Sequence, residues 1–350
     1  MKLPVAKYSS LPSLASESIL QISSKKHDGL IAASIAKSSW NKNGAALNCF
    51  RKFELSKCQK FDWPLTKNCI REFISWAILD KNLKASTVQS YISSLIFIHN
   101  VNELDPKNCS DLIVKSMIKG AENLNFYKKI SEGSRKVMTL PLLKILGHQI
   151  AKSNWTKVDK QVFWAAAIVA FFGSFRFGEI LCSSDKSFHP NESLLWEDVA
   201  FKNDSILIRI KIPKNRNQKG EFVDLFKIEN TSICPVLAMI RLQDLKGLPI
   251  DLKKPVFCFE SGKNLTSDCL NSCLKQLLVP VVGKEAELIS GHSFRAALPS
   301  VLANRPDLAS DKDIKTWGRW SSGSFQLYTR LKPQQRRIIF GKIVAAINCL

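Results

Sequence analysis

Residues 158–179 read VDKQVFWAAAIVAFFGSFRFGE. Val158 to Phe172 is apolar on nearly every side (Phe163, Trp164, Ala167, Ile168, Ala170, Phe171), which predicts a helix buried all round rather than one with a wet face. Gly173 ends it, and a second helix opens near Phe175. The run Phe163–Phe172 is too short for the roughly 20 residues of a membrane span. Downstream the period changes from 3.6 to 2. Leu194–Phe201, Ser205–Ile212 and Glu221–Lys227 read as three strands of a small antiparallel meander, with Ile206, Ile208, Ile210 and Ile212 alternating with Leu207, Arg209 and Lys211. Pro213–Gly220 is a basic turn. Helices resume at Pro235, near Ser267 and after His292.

Upstream the pattern is helical throughout. Ala45, Ala46, Cys49, Phe50 and Phe53 share one helical face. Thr66 caps a second helix bearing Cys69, Ile70, Phe73, Ile74, Ala77 and Ile78, and Ser86 caps a third with Val88, Tyr91, Ile92, Leu95 and Ile96. A fourth runs from about Cys109 to Glu122. Four helices with short loops predict a bundle. The fold class is therefore mainly α (α+β). It divides into an irregular arm (1–35), a helical domain (36–126), a basic linker (127–138) and a mostly helical domain with a small sheet (139–350). At roughly 150 residues per domain, 350 residues fit two domains.

Fifty-one Lys and Arg against thirty Asp and Glu leave a formal net charge of +21. Such an excess calls for an anionic partner, nucleic acid first and an anionic membrane surface second. The first ten residues lack the apolar segment of a secretory signal, which predicts an intracellular protein. Ten cysteines in a chain of this kind read as reduced thiols. None forms a CxxC pair, and Cys269 with Cys273 has no nearby His, so no metal site is expected.

Four segments carry residues suited to chemistry. Arg176-Phe-Gly-Glu179 puts an acid three residues after an Arg, on the same helical face. The hairpin tip offers Lys214, with Lys211 and Lys219 as competitors. Gly291-His-Ser-Phe-Arg295 places His292 and Arg295 on one face at a helix N-terminus, where free N–H groups favour an anion. Ser310 to Arg330 reads SDKDIKTWGRWSSGSFQLYTR: a capping box from Ser310 to Asp313, a stop at Gly318, then Trp320 and Tyr328. Each segment alone has a plain reading: a surface ion pair, an exposed lysine-rich tip, a packed tyrosine. Taken in the order Arg, Lys, His-x-x-Arg, Trp, Tyr, they suit phosphodiester transfer, with guanidinium groups on the non-bridging oxygens, a tyrosine nucleophile and a lysine acid for the leaving oxygen.

With that set the sequence resembles the tyrosine recombinases, also called the phage-integrase family. GRWSSGSFQLYTR looks most like members from eukaryotic mobile elements, the Cryptons and DIRS-like elements. The stretch STVQSYISSLIFIH, followed by Lys119-Gly120, resembles the family's core-binding domain, and residues from about Thr139 resemble its catalytic domain. The resemblance implies catalytic roles for Arg176, Lys214, His292, Arg295, Trp320 and Tyr328, with Glu179 as supporting acid. The family's commonest spacing would put Arg319 in the place of Trp320, and Trp317 is a further candidate. Lys128, Lys129, Arg135, Lys136, Lys219, Arg319 and Arg330 are expected to bind DNA. The resemblance further implies double-stranded DNA as partner, a homotetramer on paired sites, a nuclear location in a eukaryotic host, and no metal, nucleotide or other cofactor. A non-cleaving DNA-binding descendant and a type IB topoisomerase-like monomer are the alternatives. Pro299 is expected to kink or shorten the helix after His-x-x-Arg.

Overall fold

The structure is a computed structural model that describes residues 37–132, 136–211, 220–229, 231–304 and 309–320, with backbone alone for 37–38 and 125–132. The chain divides into two compact units, Met1–Gly133 and Ser134–Leu350.

The first unit packs α1 (Lys37–Lys57), α2 (Lys67–Ser75, continued by a π turn Trp76–Asp80), α3 (Ala85–Val101) and α4 (Leu112–Glu132) around one core. Phe50, Phe53, Phe73, Trp76, Leu95 and Ile98 fill it. The rings meet edge-on, tilted or stacked; Phe53 and Phe61 stack with centroids 5.4 Å apart. Thr66 caps α2 through the Cys69 N–H. The cap residue of α3 is Lys84, not Ser86. Behind the core His99 is buried, its Nδ1–H on the Leu95 carbonyl at 2.7 Å and its Nε2 accepting the Leu65 N–H at 3.1 Å. Residues 127–132 were expected to break the helical pattern and instead extend α4 to Glu132.

The second unit begins before α5 (Leu140–Lys152). The Lys136 and Met138 N–H groups donate to the Leu288 and Ser293 carbonyls, so residues expected in a linker are hydrogen-bonded into this unit. Thr139 caps α5. Helix α6 (Lys157–Phe172) is the central element: Phe163, Ala165 to Phe171 without interruption, and Val162 are all buried. It packs along α8 (Pro235–Lys246), whose Pro235 takes the first helical position. Between them in sequence come α7 (Phe177–Ile180) and a sheet of order β1-β2-β3, all antiparallel: β1 (Val199–Phe201), β2 (Ser205–Ile210), β3 (Glu221–Phe226). Ile206, Ile208 and Ile210 face the core, as their alternation requires. The expected start of the first strand, Leu194–Asp198, is instead a 3₁₀ turn at Trp196–Asp198. There the Asp198 carboxylate accepts the Leu195 N–H. Helix α9 (Ser267–Val282) precedes α10 (Gly291–Arg295), α11 (Ala297–Ala303) and α12 (Asp311–Trp317). Pro299 is the third residue of α11, where its missing N–H costs nothing, and the chain breaks between α10 and α11 at Ala296.

No helix among the described residues is long and apolar enough to cross a membrane.

Candidate active site

The site is built on the carbonyl end of α6. A helix leaves its last carbonyls without partners, and they carry partial negative charge. Here α6 closes in a Schellman turn: the Phe175 N–H donates to the Ala170 carbonyl at 3.1 Å and the Ser174 N–H to that of Phe171 at 3.4 Å. Ser174 takes the left-handed backbone, φ 47°, a place usually held by glycine. Gly173 is a glycine for a different reason. The Phe175 ring folds back over it, and a Cβ there would lie 2.0 Å from the ring.

Helix α12 ends the same way. The Trp320 N–H donates to the Lys315 carbonyl and the Arg319 N–H to that of Thr316, at 3.0 and 3.1 Å. Arg319 has φ 55°, and a Cβ on Gly318 would lie 1.5 Å from the Trp320 ring. Gly173-Ser-Phe175 and Gly318-Arg-Trp320 are one turn built twice. Each aromatic ring underlies a guanidinium: Arg319 lies 4.9 Å over Phe175 and Arg295 4.8 Å over Trp320.

The carbonyls at the first turn gather donors. Trp317 Nε1–H reaches the Phe172 carbonyl at 3.1 Å. Arg319 Nη1 donates to Gly173 at 2.7 Å. The Ser174 carbonyl accepts from Arg295 Nη1 at 2.6 Å and from Arg319 Nη2 at 3.4 Å. Arg295 Nη2 reaches the Gly318 carbonyl of the second turn at 2.7 Å. Arg295 is 1% exposed, so this cation is held by oriented dipoles and a π face inside the unit.

Arg176 stands at the N-cap of α7 with a third of its side chain accessible. Its Nη1 lies 2.5 Å from Glu179 Oε1. Glu179 Oε2 accepts the Arg176 N–H at 2.9 Å and Arg319 Nη2 at 3.0 Å. One buried carboxylate therefore serves two arginines. His292 is exposed on α10, a helix of only five residues. The preceding Gly291 packs so closely on Phe177 that a Cβ would lie 2.7 Å from the ring, and Phe294 meets Phe177 with centroids 5.3 Å apart. Those contacts seat α10 against α7, beside Arg176. The bare helix N-terminus expected here is partly occupied: the Gly291 N–H donates to Asn271 Oδ1 at 3.0 Å.

Arg176, Glu179, Arg295, Arg319 and Trp320 are thus drawn together around the two turns, with His292 placed next to them by α10. Several of the expected site residues have partners within the unit. Arg319 was expected to contact DNA, yet its side chain is 11% exposed and bound to Gly173, Ser174, Glu179 and Glu221. Burial lowers its pKa from the usual arginine value, and the charges of Glu179 and Glu221 oppose that shift. Trp320 and Arg295 lie stacked in the interior rather than open to a ligand. Lys136, also expected on DNA, is ion-paired with Glu285. Lys211, a competitor for the hairpin acid, is spent on Asp198 at 2.6 Å and the Pro190 carbonyl at 2.8 Å. Lys214, Lys219, Tyr328, Arg330 and Arg135 lie outside the described residues, as do the side chains of Lys128 and Lys129. Among the described residues no group of three or more His, Cys, Asp or Glu could hold a metal ion.

The internal role of Arg319 was not read from the sequence. Its signal is the repeated tripeptide, a glycine and an aromatic residue flanking one left-handed residue at the end of a helix. Glu221, at the start of β3, had no signal of its own.

No protein-family model and no curated protein matches the sequence. Solved structures do. The chain is similar to the XerH site-specific recombinase bound to its palindromic difH substrate in a post-cleavage complex, at 14% identity over 88% of this chain and 80% of that one, TM-score 0.57. It is similar to the Tn1549 transposon integrase in complex with circular intermediate DNA, at 12% identity over 91% and 97%, TM-score 0.56. A lambda integrase dimer bound to a COC' core site matches at 13% identity over 87% and 75%, TM-score 0.53. The chain has the fold of these site-specific recombinases and integrases.

Proposed function

We propose that this chain is a site-specific DNA recombinase or integrase of the tyrosine class, most like those of eukaryotic mobile elements. It cuts and rejoins strands through a 3′-phosphotyrosine link. The observation that carries the reading is the contact chain Arg176–Glu179–Arg319–Ser174–Arg295. It joins the first arginine to the His-x-x-Arg box, although Ser174 and Arg295 are 121 residues apart. The shared fold with DNA-bound recombinases supports it.

In this reading Arg176 presents an accessible guanidinium to a phosphate oxygen, its fork held by Glu179. Arg295 adds positive charge from beneath, stronger for being desolvated. His292 stands at the rim as a further donor. Tyr328 attacks phosphorus and passes its proton to water, the bond to the 5′-oxygen breaks, and Lys214 delivers a proton to that oxygen. The 5′-hydroxyl of another strand reverses the step and frees the tyrosine. Lys128, Lys129, Arg135, Lys219 and Arg330 hold DNA phosphates without reading sequence, and a tetramer assembles on two sites.

The test is a pool of nicked duplexes with randomised arms, incubated with the protein and resolved on a denaturing gel. A covalent adduct is expected, and Tyr328→Phe should abolish it while leaving DNA affinity intact. Binding without any adduct would favour a non-cleaving DNA-binding protein. Cleavage that needs no paired sites would favour a topoisomerase.

A further inference from the structure

Arg319 is in an unusual position for a structural residue. It holds the left-handed backbone where glycine is the default, so its side chain is kept at a conformational cost. A hydrophobic residue would fill the same space without the desolvation a guanidinium incurs. What only a planar fork supplies is several directed contacts at once. The fork hydrogen-bonds two parts of the unit, the Gly173 and Ser174 carbonyls at the end of α6 and Glu179 on α7 at 3.0 Å, and Nε faces the Glu221 carboxylate of a third part at 3.4 Å, a charge contact without a hydrogen bond. Glu221 is the first residue of β3, directly after the connection that carries Lys214 and Lys219. Glu179 is the residue that holds Arg176. With Arg319 on Oε2, the carboxylate is turned so that Oε1 meets the Arg176 guanidinium.

We infer that Arg319 is a positioning residue: it sets Arg176 through Glu179 and the start of β3 through Glu221, tying both to the turn that precedes Tyr328. The inference deepens the recombinase reading and rests on it for its kinetic readout. Arg319 makes no DNA contact in this role.

The experiment compares Arg319→Gln, Glu221→Gln and the double variant in the full chain. The first measurement is single-turnover adduct formation on nicked duplexes selected from the randomised pool, together with DNA affinity across a salt series. The second is amide hydrogen exchange in the segments 173–180 and 221–226. Arg319→Gln should slow adduct formation by roughly 10²-fold, the order expected when a reacting group is misplaced by about an ångström. Affinity and salt slope should stay unchanged. The double variant should be no slower than Arg319→Gln, because both changes cut the same link. Exchange should quicken in both segments and not in α5. Multiplicative losses in the double variant, or a lost phosphate contact seen as weaker affinity with a flatter salt slope, would overturn the inference. So would unchanged exchange. If Arg319→Gln fails to fold, Glu221→Gln alone decides, since Glu221 is partly exposed: slower cleavage with faster exchange at β3 supports the link, and wild-type behaviour in both sinks it. Wild-type protein that forms no adduct overturns the recombinase reading instead, and exchange still decides whether Arg319 holds α7 and β3.

Discussion

The Ser174 carbonyl and the Arg295 guanidinium meet at 2.6 Å, and the arginine is among the largest fully enclosed side chains of the described residues. A charge this deep is tolerable only while hydrogen bonds such as those of Nη1 and Nη2 replace lost hydration. Arg295→Leu keeps most of the volume but strands the Ser174 and Gly318 carbonyls. It should lower stability by about 2–4 kcal/mol, from lost charge-assisted hydrogen bonds offset in part by removing a buried cation. Urea midpoints at constant slope would measure this. A variant as stable as wild type would mean the two carbonyls find water.

Two of the described glycines are enforced by an aromatic ring and a third is not. Gly318→Ala puts a methyl group where the Trp320 ring lies, and Gly173→Ala does the same under Phe175. Each should cost about 1–3 kcal/mol, as overpacking does, and the Gly318 variant should shift tryptophan fluorescence. Gly44→Ala should do the reverse. It sits inside α1 with nothing within 4 Å of the new Cβ, so the helix gains about 0.5–1 kcal/mol. Thermal melts of the three variants test the contrast.

Two neighbouring lysines should separate stability from chemistry. Lys211→Met removes the partner of the enclosed Asp198 carboxylate and should destabilise the second unit by about 2 kcal/mol while cleavage proceeds. Lys214→Ala should instead slow cleavage of a normal substrate by roughly 10²–10⁴-fold, the range for general acid catalysis. A 5′-bridging phosphorothiolate, whose sulfur leaves without a proton, should restore most of that loss. If Lys219→Ala shows the selective defect and Lys214→Ala does not, the acid is Lys219.

His99 makes the first unit sensitive to acid. Burial lowers its pKa below the ordinary 6.5, against the Leu95 carbonyl and the Asp105 charge, which both favour the protonated ring. The neutral ring is also the form whose Nε2 accepts the Leu65 N–H. The unfolded chain takes up that proton near pH 6.5 and the folded chain only at lower pH. Unfolded protein therefore binds more protons in this window, and stability falls as pH drops from about 6.5 toward the folded value. His99→Phe should flatten that part of the profile and lower stability at alkaline pH, where the Leu65 N–H loses its acceptor. An NMR titration placing His99 above 6.5 would contradict the assignment.

The legible parts of the fold were those with a strong period. The buried helix at Val158–Phe172, the isoleucine face of β2, and the caps at Thr66 and Ser310 follow from local chemistry, and the folded chain keeps them. What local reading missed depends on distant partners. Lys128 and Lys129 read as linker because their charges interrupt the apolar stripe, but a helix already nucleated at Leu112 continues through them. Leu194–Asp198 has a strand's composition, yet the Asp198 carboxylate bends it by accepting the Leu195 N–H. At the site, residue types in order brought Arg176, Glu179 and Arg295 into consideration. Arg319 was read as a DNA contact or as the alternative to Trp320, because nothing near it in sequence shows that Gly173, Glu179 and Glu221 would surround it.

The two matching turns also set a timetable for synthesis. Arg319 reaches Gly173 across 146 residues, so the end of α6 leaves the ribosome long before its partner exists. At 5–20 residues per second that gap is roughly 7–30 s, during which water must hold the carbonyls that Arg319, Arg295 and Trp317 later take. A nascent chain stopped short of Gly318 carries Glu179 with one arginine instead of two. The cluster is thus completed only after the Gly318 turn has been made.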